Sequence, residues 1–155
     1  MITRAALLAW FALLPRVPDS EGRGIRRPHD AVDAMVTVAL EVAEREPLID
    51  ARIIAAELDV IGARESGYST HPRGLNDHGR SKGFGQTPRA ETPDDLLGQV
   101  RIAAKWLVAS IKRCPDHPLS PYGTGGLCAS VRVTDEYFSI VRSELAIPVP
   151  STEAP

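Results

Sequence analysis

Two segments of this chain carry residue types suited to acid–base chemistry. In the first, Ile54, Leu58 and Ile61 recur at steps of four and three, the period of one buried helical stripe, and the next step of four lands on Glu65. A carboxylate facing a core is costly unless it is paired or protonated. Burial raises its pKa toward the range where a carboxylic acid can donate a proton at neutral pH. The second segment is Ser81-Lys82-Gly83-Phe84-Gly85-Gln86, a polar, glycine-bearing turn that follows Glu65 in the chain. Together they read as a site that cleaves a sugar. Each also has an ordinary reading. Glu65 could turn to solvent at a frayed helix end or pair with a buried arginine, and Ser81 to Gln86 could be a plain Gly- and Ser-rich turn.

The elements that must hold these residues are helices. Ala5 to Leu14 is an apolar run of the length of a secretory core region and too short to span a bilayer. It is followed by Pro15-Arg16-Val17-Pro18 with no small-x-small cleavage pattern, so a first helix packed on the domain is expected rather than a removed signal. Residues 15–27 form a Gly-, Pro- and Arg-rich connector. A helix is expected from Pro28 to about Glu46, with Pro in its first turn and Asp30 at its positive end; Pro47 stops it. Asp50 to Glu65 is the next. Residues 66–90 hold almost no helical pattern, and a loop this long is uncommon in a compact domain unless it is functional or flexible. Thr92-Pro93-Asp94-Asp95 reads as the cap of another helix, with Leu96, Val100, Ala103 or Ala104, Leu107, Ile111 and then Cys114 along its stripe. A helix could begin near Ser120-Pro121. Thr134 opens the last, which ends near Leu145, and residues 146–155 are a Pro-rich tail expected to be poorly ordered. No strand alternation and no internal repeat is visible. The expectation is an all-α fold of five to six helices, divided into an N-terminal helix and linker (1–27), a catalytic domain (28–145) and the tail (146–155).

Bulk properties narrow the function. The chain of 155 residues is 43% hydrophobic and carries a net charge of -2, enough for one domain with a real core. There is no basic surplus for phosphate contacts and no basic recognition helix, so no nucleic-acid partner is expected. No transmembrane helix is visible. Aromatics are only 5% of the chain; Trp10, Phe11, Trp106, Tyr122, Tyr137 and Phe138 fall in expected helices or beside motifs, and Tyr68 and Phe84 within the candidate site. Cys114 and Cys128 are expected to be close in space, as a disulfide or as packed thiols, and lack the neighbours of a metal site. His71, Asp77 and His78 could hold a metal, but a solvated polar loop accounts for them better, and His29 and His117 read as loop or cap residues; no metal or cofactor is expected.

Glu65-Ser66-Gly67-Tyr68, followed by Ser81-Lys82-Gly83-Phe84-Gly85-Gln86-Thr87-Pro88, resembles the catalytic region of lytic transglycosylases with a lysozyme-like fold, the goose-type and soluble lytic transglycosylase domains. The family pattern is E-S, a loop, then S-x-G-x-x-Q, often with a Pro soon after. Tyr122-Gly123-Thr124-Gly125-Gly126 is similar to a third family element, a Tyr followed by small polar residues and Gly. The resemblance covers about Asp50 to Leu145. This chain departs from the pattern in having Phe84-Gly85 where Leu-Met is usual, and Gly123 where Asn is common.

The resemblance implies a lysozyme-like helical domain with a long irregular active-site loop, cleaving peptidoglycan glycan strands. Most glycosidases use two carboxylates; this family implies one. Glu65 would protonate the glycosidic oxygen between N-acetylmuramic acid and N-acetylglucosamine, the substrate's N-acetyl oxygen would stabilise the cationic carbon, and Glu65 would then take the proton of the muramic 6-hydroxyl as an anhydro ring closes. Ser66, Ser81 and Gln86 would contact substrate, and Gly83, like Gly85, would let the backbone approach it. Tyr122 would donate its hydroxyl to Glu65, unless it merely covers a loop. Tyr68 lines the cleft or caps the core, and the cleft is favoured. The alternatives are a goose-type lysozyme, a hydrolase whose water Asp77 would activate, and a virion protein that kept the fold without the activity. Size, the ambiguous export signal and the tail suit a bacteriophage particle component, partnered by tail or other virion proteins and acting in the host periplasm; a periplasmic or secreted bacterial enzyme is the other setting.

Overall fold

The structure, a computed structural model, describes residues 1–71, 80–116, 118–119, 128–129 and 131–151. Within them the chain is mostly helical: α1 is Arg4–Leu13, α2 His29–Arg45, α3 Ala51–Ile61, α4 Leu96–Arg113 and α5 Arg132–Leu145. Strands β1 (Ser81–Lys82) and β2 (Thr87–Pro88) pair antiparallel, Ser81 opposite Pro88 and Lys82 opposite Thr87. This hairpin departs from the strand-free expectation. Two residues per strand are too few to show alternation in sequence.

Local chemistry sets the helix ends. The Asp50 carboxylate accepts from the Arg52 amide at 2.8 Å and starts α3; the Thr3 hydroxyl does the same for α1 through Ala6 at 3.1 Å. Helix α4 starts later than its sequence suggests. Asp95, not Thr92, is the cap, accepting from the Gly98 amide at 2.8 Å. The Thr92 hydroxyl is already engaged: it donates to the Pro88 carbonyl at 2.8 Å and meets the Thr87 hydroxyl at 2.7 Å, fastening the end of the hairpin. Helix α5 begins at Arg132, ahead of the expected Thr134. The helix expected near Ser120-Pro121 lies outside the described residues.

Helix α3 is the hub, packed against α2, α4 and α5. Ile54, Leu58 and Ile61 are fully buried, as their period implies, but so are Ala55, Ala56 and Val60 on its other faces. The first helix belongs to the same core: Leu7, Trp10 and Phe11 join one cluster with Met35, Ile54 and Leu107. The buried Trp10 indole donates to the Ile147 carbonyl at 2.9 Å, because an indole N–H taken out of water requires an acceptor. The Arg52 guanidinium lies 5.2 Å from the Trp10 ring centroid and donates to the carbonyls of Leu145 (2.7 Å) and Ile147 (3.0 Å). Through residue 151, therefore, the segment expected to be a loose tail is held at its start by two side chains, and Ile147 and Val149 pack on the core.

Cys114 and Cys128 form a disulfide with a Cα separation of 5.3 Å, inside the range that a bridge permits. It joins the end of α4 to the chain ahead of α5. A disulfide is consistent with an oxidising, extracytoplasmic compartment. Among the described residues no helix is long and apolar enough to cross a membrane.

Candidate active site

At Gly62, α3 widens into a π-helical turn, Gly62–Ser66, which carries Glu65. Single π turns are rare and recur at functional sites. Close packing accompanies this one. The Phe84 ring lies directly on Gly62, where an added Cβ would come within 2.2 Å of Phe84 Cζ, so no other residue fits. The wider turn also shifts the phase of the helix. Ala63 takes a buried place at 2% exposure, and Glu65 is half-buried at the rim rather than sunk in the core.

The Tyr137 hydroxyl, from α5, donates to Glu65 Oε1 at 2.9 Å. The Arg64 guanidinium lies 5.2 Å from the Tyr137 ring centroid and donates to the Pro18 carbonyl at 3.2 Å and to Glu136 Oε1 at 2.8 Å, so it holds that ring in place. Burial pushes the Glu65 carboxyl above its ordinary range. The Tyr137 hydrogen bond and the Arg64 charge pull it back, and burial prevails. Burial, with the Glu65 charge beside it, pushes the Tyr137 hydroxyl up as well, so it remains a donor. A hydroxyl donor to Glu65 is thus present in Tyr137, a residue the sequence did not single out for that role; Tyr122, expected to donate there, lies outside the described residues. A signal for Tyr137 was present, since Thr134, Tyr137, Val141 and Glu144 form the buried stripe of α5, but a stripe does not name its partner.

Ser81 to Gln86 packs beside this turn. Gly83 has φ +75°, and a Cβ there would fall 2.3 Å from Gln99 Oε1. The Phe84 amide donates to that same oxygen at 2.9 Å, while Gln99 Nε2 donates to the carbonyls of Thr70 (3.3 Å), Pro93 (3.1 Å) and Asp94 (3.3 Å). Gln99, which the sequence reading passed over, is fully buried and clamps the turn to α4. Gly85 lies against Ile61 and Ala103, which wedges the turn between α3 and α4. Gln86 adopts φ +49° and its side-chain amide donates to the Gly83 carbonyl at 2.8 Å. Ser81 is half-buried on β1, and the half-buried Ser66 donates its hydroxyl to the Gly62 carbonyl at 2.9 Å. The structure therefore places the segments carrying Glu65, Ser66, Gly83 and Gln86 in contact through Phe84 on Gly62 and Gly85 on Ile61.

Tyr68 faces inward instead of lining a cleft. It is 4% exposed, and its hydroxyl donates to Asp59 Oδ1 at 2.7 Å. Asp59 in turn takes Arg27 Nε at 2.8 Å and Nη2 at 2.7 Å; Arg27 also donates to the carbonyls of Leu14 (3.2 Å) and Pro15 (2.6 Å). Glu144 Oε1 lies 3.5 Å from Arg27 Nη2, and burial with the neighbouring Asp59 pushes its carboxyl up. The charged pair so compensated is Asp59 with Arg27. The network anchors the chain just past the Glu65 turn to the last turn of α3. Asp59, set in an apolar run, was its only mark in the sequence.

His71 is exposed, its ring Nδ1 within 2.9 Å of the Thr70 hydroxyl, and Asp77, His78 and His117 lie outside the described residues. Among the described residues no three His, Cys, Asp or Glu side chains gather as metal ligands would. A groove of about 1060 Å³ opens elsewhere, lined by Ile2, Leu40, Ala43, Ile49 and Val149 among others, and contains none of the candidate residues. The site is identified by its side-chain chemistry, not by concavity. In comparisons with family models, curated proteins and solved structures, the chain matches none.

Proposed function

We propose that this chain is a lytic transglycosylase of lysozyme-like fold that cleaves the bond between N-acetylmuramic acid and N-acetylglucosamine in peptidoglycan. The observation that carries the reading is Glu65: a half-buried carboxyl on a π turn, raised in pKa by burial, oriented by the Tyr137 hydroxyl and flanked by the packed Ser81–Gln86 turn. Glu65 gives its proton to the glycosidic oxygen as the bond to the muramic C1 breaks. The N-acetyl oxygen of the same sugar shields the positive carbon. The 6-hydroxyl oxygen then bonds C1 and its proton returns to Glu65. No water is consumed, and the acid is regenerated. Ser66, Ser81 and Gln86 are the substrate contacts in this reading. The disulfide fits an enzyme that works outside the cytoplasm, either carried on a bacteriophage particle into the host periplasm or exported by a bacterium.

Digestion of purified sacculi tests the reaction. The expected products are muropeptides ending in anhydro-muramic acid, lighter by one water than hydrolytic products and inert to borohydride. Reducible ends would make the enzyme a hydrolase, with Asp77 the first residue to replace. Absence of any released muropeptide would leave the non-enzymatic virion reading.

Tyr137→Phe gives a second expected result. The lost hydrogen bond was lowering the Glu65 pKa, so its removal raises that pKa further. Because Glu65 must start protonated, the alkaline limb of the clearing rate should move to higher pH, while the plateau falls roughly tenfold as the carboxyl loses its orientation. A limb that stays in place would show that Tyr137 does not act on Glu65.

A further inference from the structure

Trp106 is 41% exposed on α4, in contrast to Trp10, which is fully buried. A single exposed apolar side chain is ordinary on a protein surface; what is informative here is the position of this ring along the helix. Trp106 comes seven residues after Gln99. Seven residues turn an α-helix to within about 20° of the same direction and advance it about 10 Å. Gln99 holds Gly83 and Phe84, and Ala103, between them, touches Gly85. Gln99, Ala103 and Trp106 therefore line the one side of α4 that carries the Ser81–Gln86 turn, and Trp106 stands one helical turn beyond the contact with Gly85.

We infer that Trp106 is a carbohydrate-stacking platform: a subsite for an N-acetylated pyranose of the glycan strand, one that continues the binding surface past Gln86. The inference rests on the proposed activity for the identity of the sugar. The chemistry is direct. A pyranose in chair form presents a face of C–H bonds, and a flat, rigid indole covers that face at little entropic cost. Trp106 makes no bond to Glu65 or Tyr137, so it binds the strand and does not take part in the proton transfers.

The test uses the full chain and tetra-N-acetylchitotetraose as the probe. Trp10 is buried in the core, so its emission is a constant background. In the wild type, the tetrasaccharide should change the Trp emission saturably and protect it from acrylamide. Trp106→Ala should abolish the change and weaken calorimetric binding roughly tenfold, the scale of one lost aromatic contact, with thermal stability retained. Trp106→Tyr should bind within about threefold of wild type. Equal calorimetric binding by Trp106→Ala, or absence of tetrasaccharide binding by the wild type, would overturn the subsite. Sacculus clearing separates the two claims. A wild type that clears sacculi while Trp106→Ala binds normally refutes the subsite and leaves the activity standing. A wild type that binds the sugar through Trp106 yet releases no muropeptide refutes the activity and supports the subsite.

Discussion

Glu65→Gln should lower the rate of sacculus clearing by about 10² to 10⁴, the span expected for a positioned acid–base group. The amide keeps the shape of the side chain and can still accept from Tyr137, so the loss would report the missing proton and not a collapsed turn. Folding should be unharmed. The folded-state pKa of Glu65 is raised, so the native state loses stability as pH climbs from the ordinary carboxylate range through the raised value. Gln does not titrate, and the melting temperature of the variant near pH 7 should equal or exceed that of wild type. Turbidimetry and thermal unfolding on the same preparation decide the matter. Clearing within twofold of wild type would remove Glu65 from the mechanism.

Glu57 offers the largest change in stability. It sits in the middle of α3, fully buried, and among the described residues neither carboxyl oxygen has a hydrogen-bond partner. Burial alone pushes its pKa to about 8. An acid whose folded pKa is raised contributes no penalty below its unfolded value; it destabilises the fold progressively as pH rises from about 4.5 to about 8. Glu144, also raised by burial, adds to that decline from about 4.5 and continues it up to about 10. Glu57→Met replaces the acid with an unbranched apolar chain that fills irregular space. It should stabilise the protein by about 2–4 kcal/mol at pH 8 and by less at pH 5, since removing an uncompensated buried polar group is a stabilising change of this size. The corresponding rise in melting temperature is roughly 5–12 °C at pH 8. Melting curves at the two pH values test both the sign and the slope. A variant less stable than wild type at pH 8 would mean that Glu57 is compensated by a charge or donor in the folded protein.

Apolar period and capping chemistry made the helical frame legible. Steps of three and four located α3 and α4, Asp50 marked where α3 begins, and Pro28 and Asp30 marked the start of α2. These signals lie within a few residues of the structure they specify, and the side chains involved act on their own backbone. The segments carrying Glu65 and Ser81 to Gln86 could be singled out for the same reason: a carboxylate in an apolar phase and a turn with Gly at fixed places are local anomalies.

Partners were not legible, because contacts between distant segments leave no spacing to read. Tyr137 reaches Glu65 across 72 positions of sequence, and nothing near Tyr137 announces that contact. Tyr68 has a hydroxyl suited to a cleft or to a core; it turned inward because Asp59 and Arg27, 32 residues apart, form a buried charged pair with acceptor capacity remaining. The π turn belongs to the same class. Nothing in the local sequence marks a π turn over an ordinary helix end, and the close packing of the Phe84 ring on Gly62 that accompanies it comes from a segment about twenty residues on. Periodicity thus marked the buried stripes of α3 and α4, though not the phase shift that moves Glu65 to the rim. Which side chain meets a given residue across such a face depended on how the helices and the hairpin fill a common volume, where a buried hydroxyl, carboxylate or ring must find a partner of matching shape and charge.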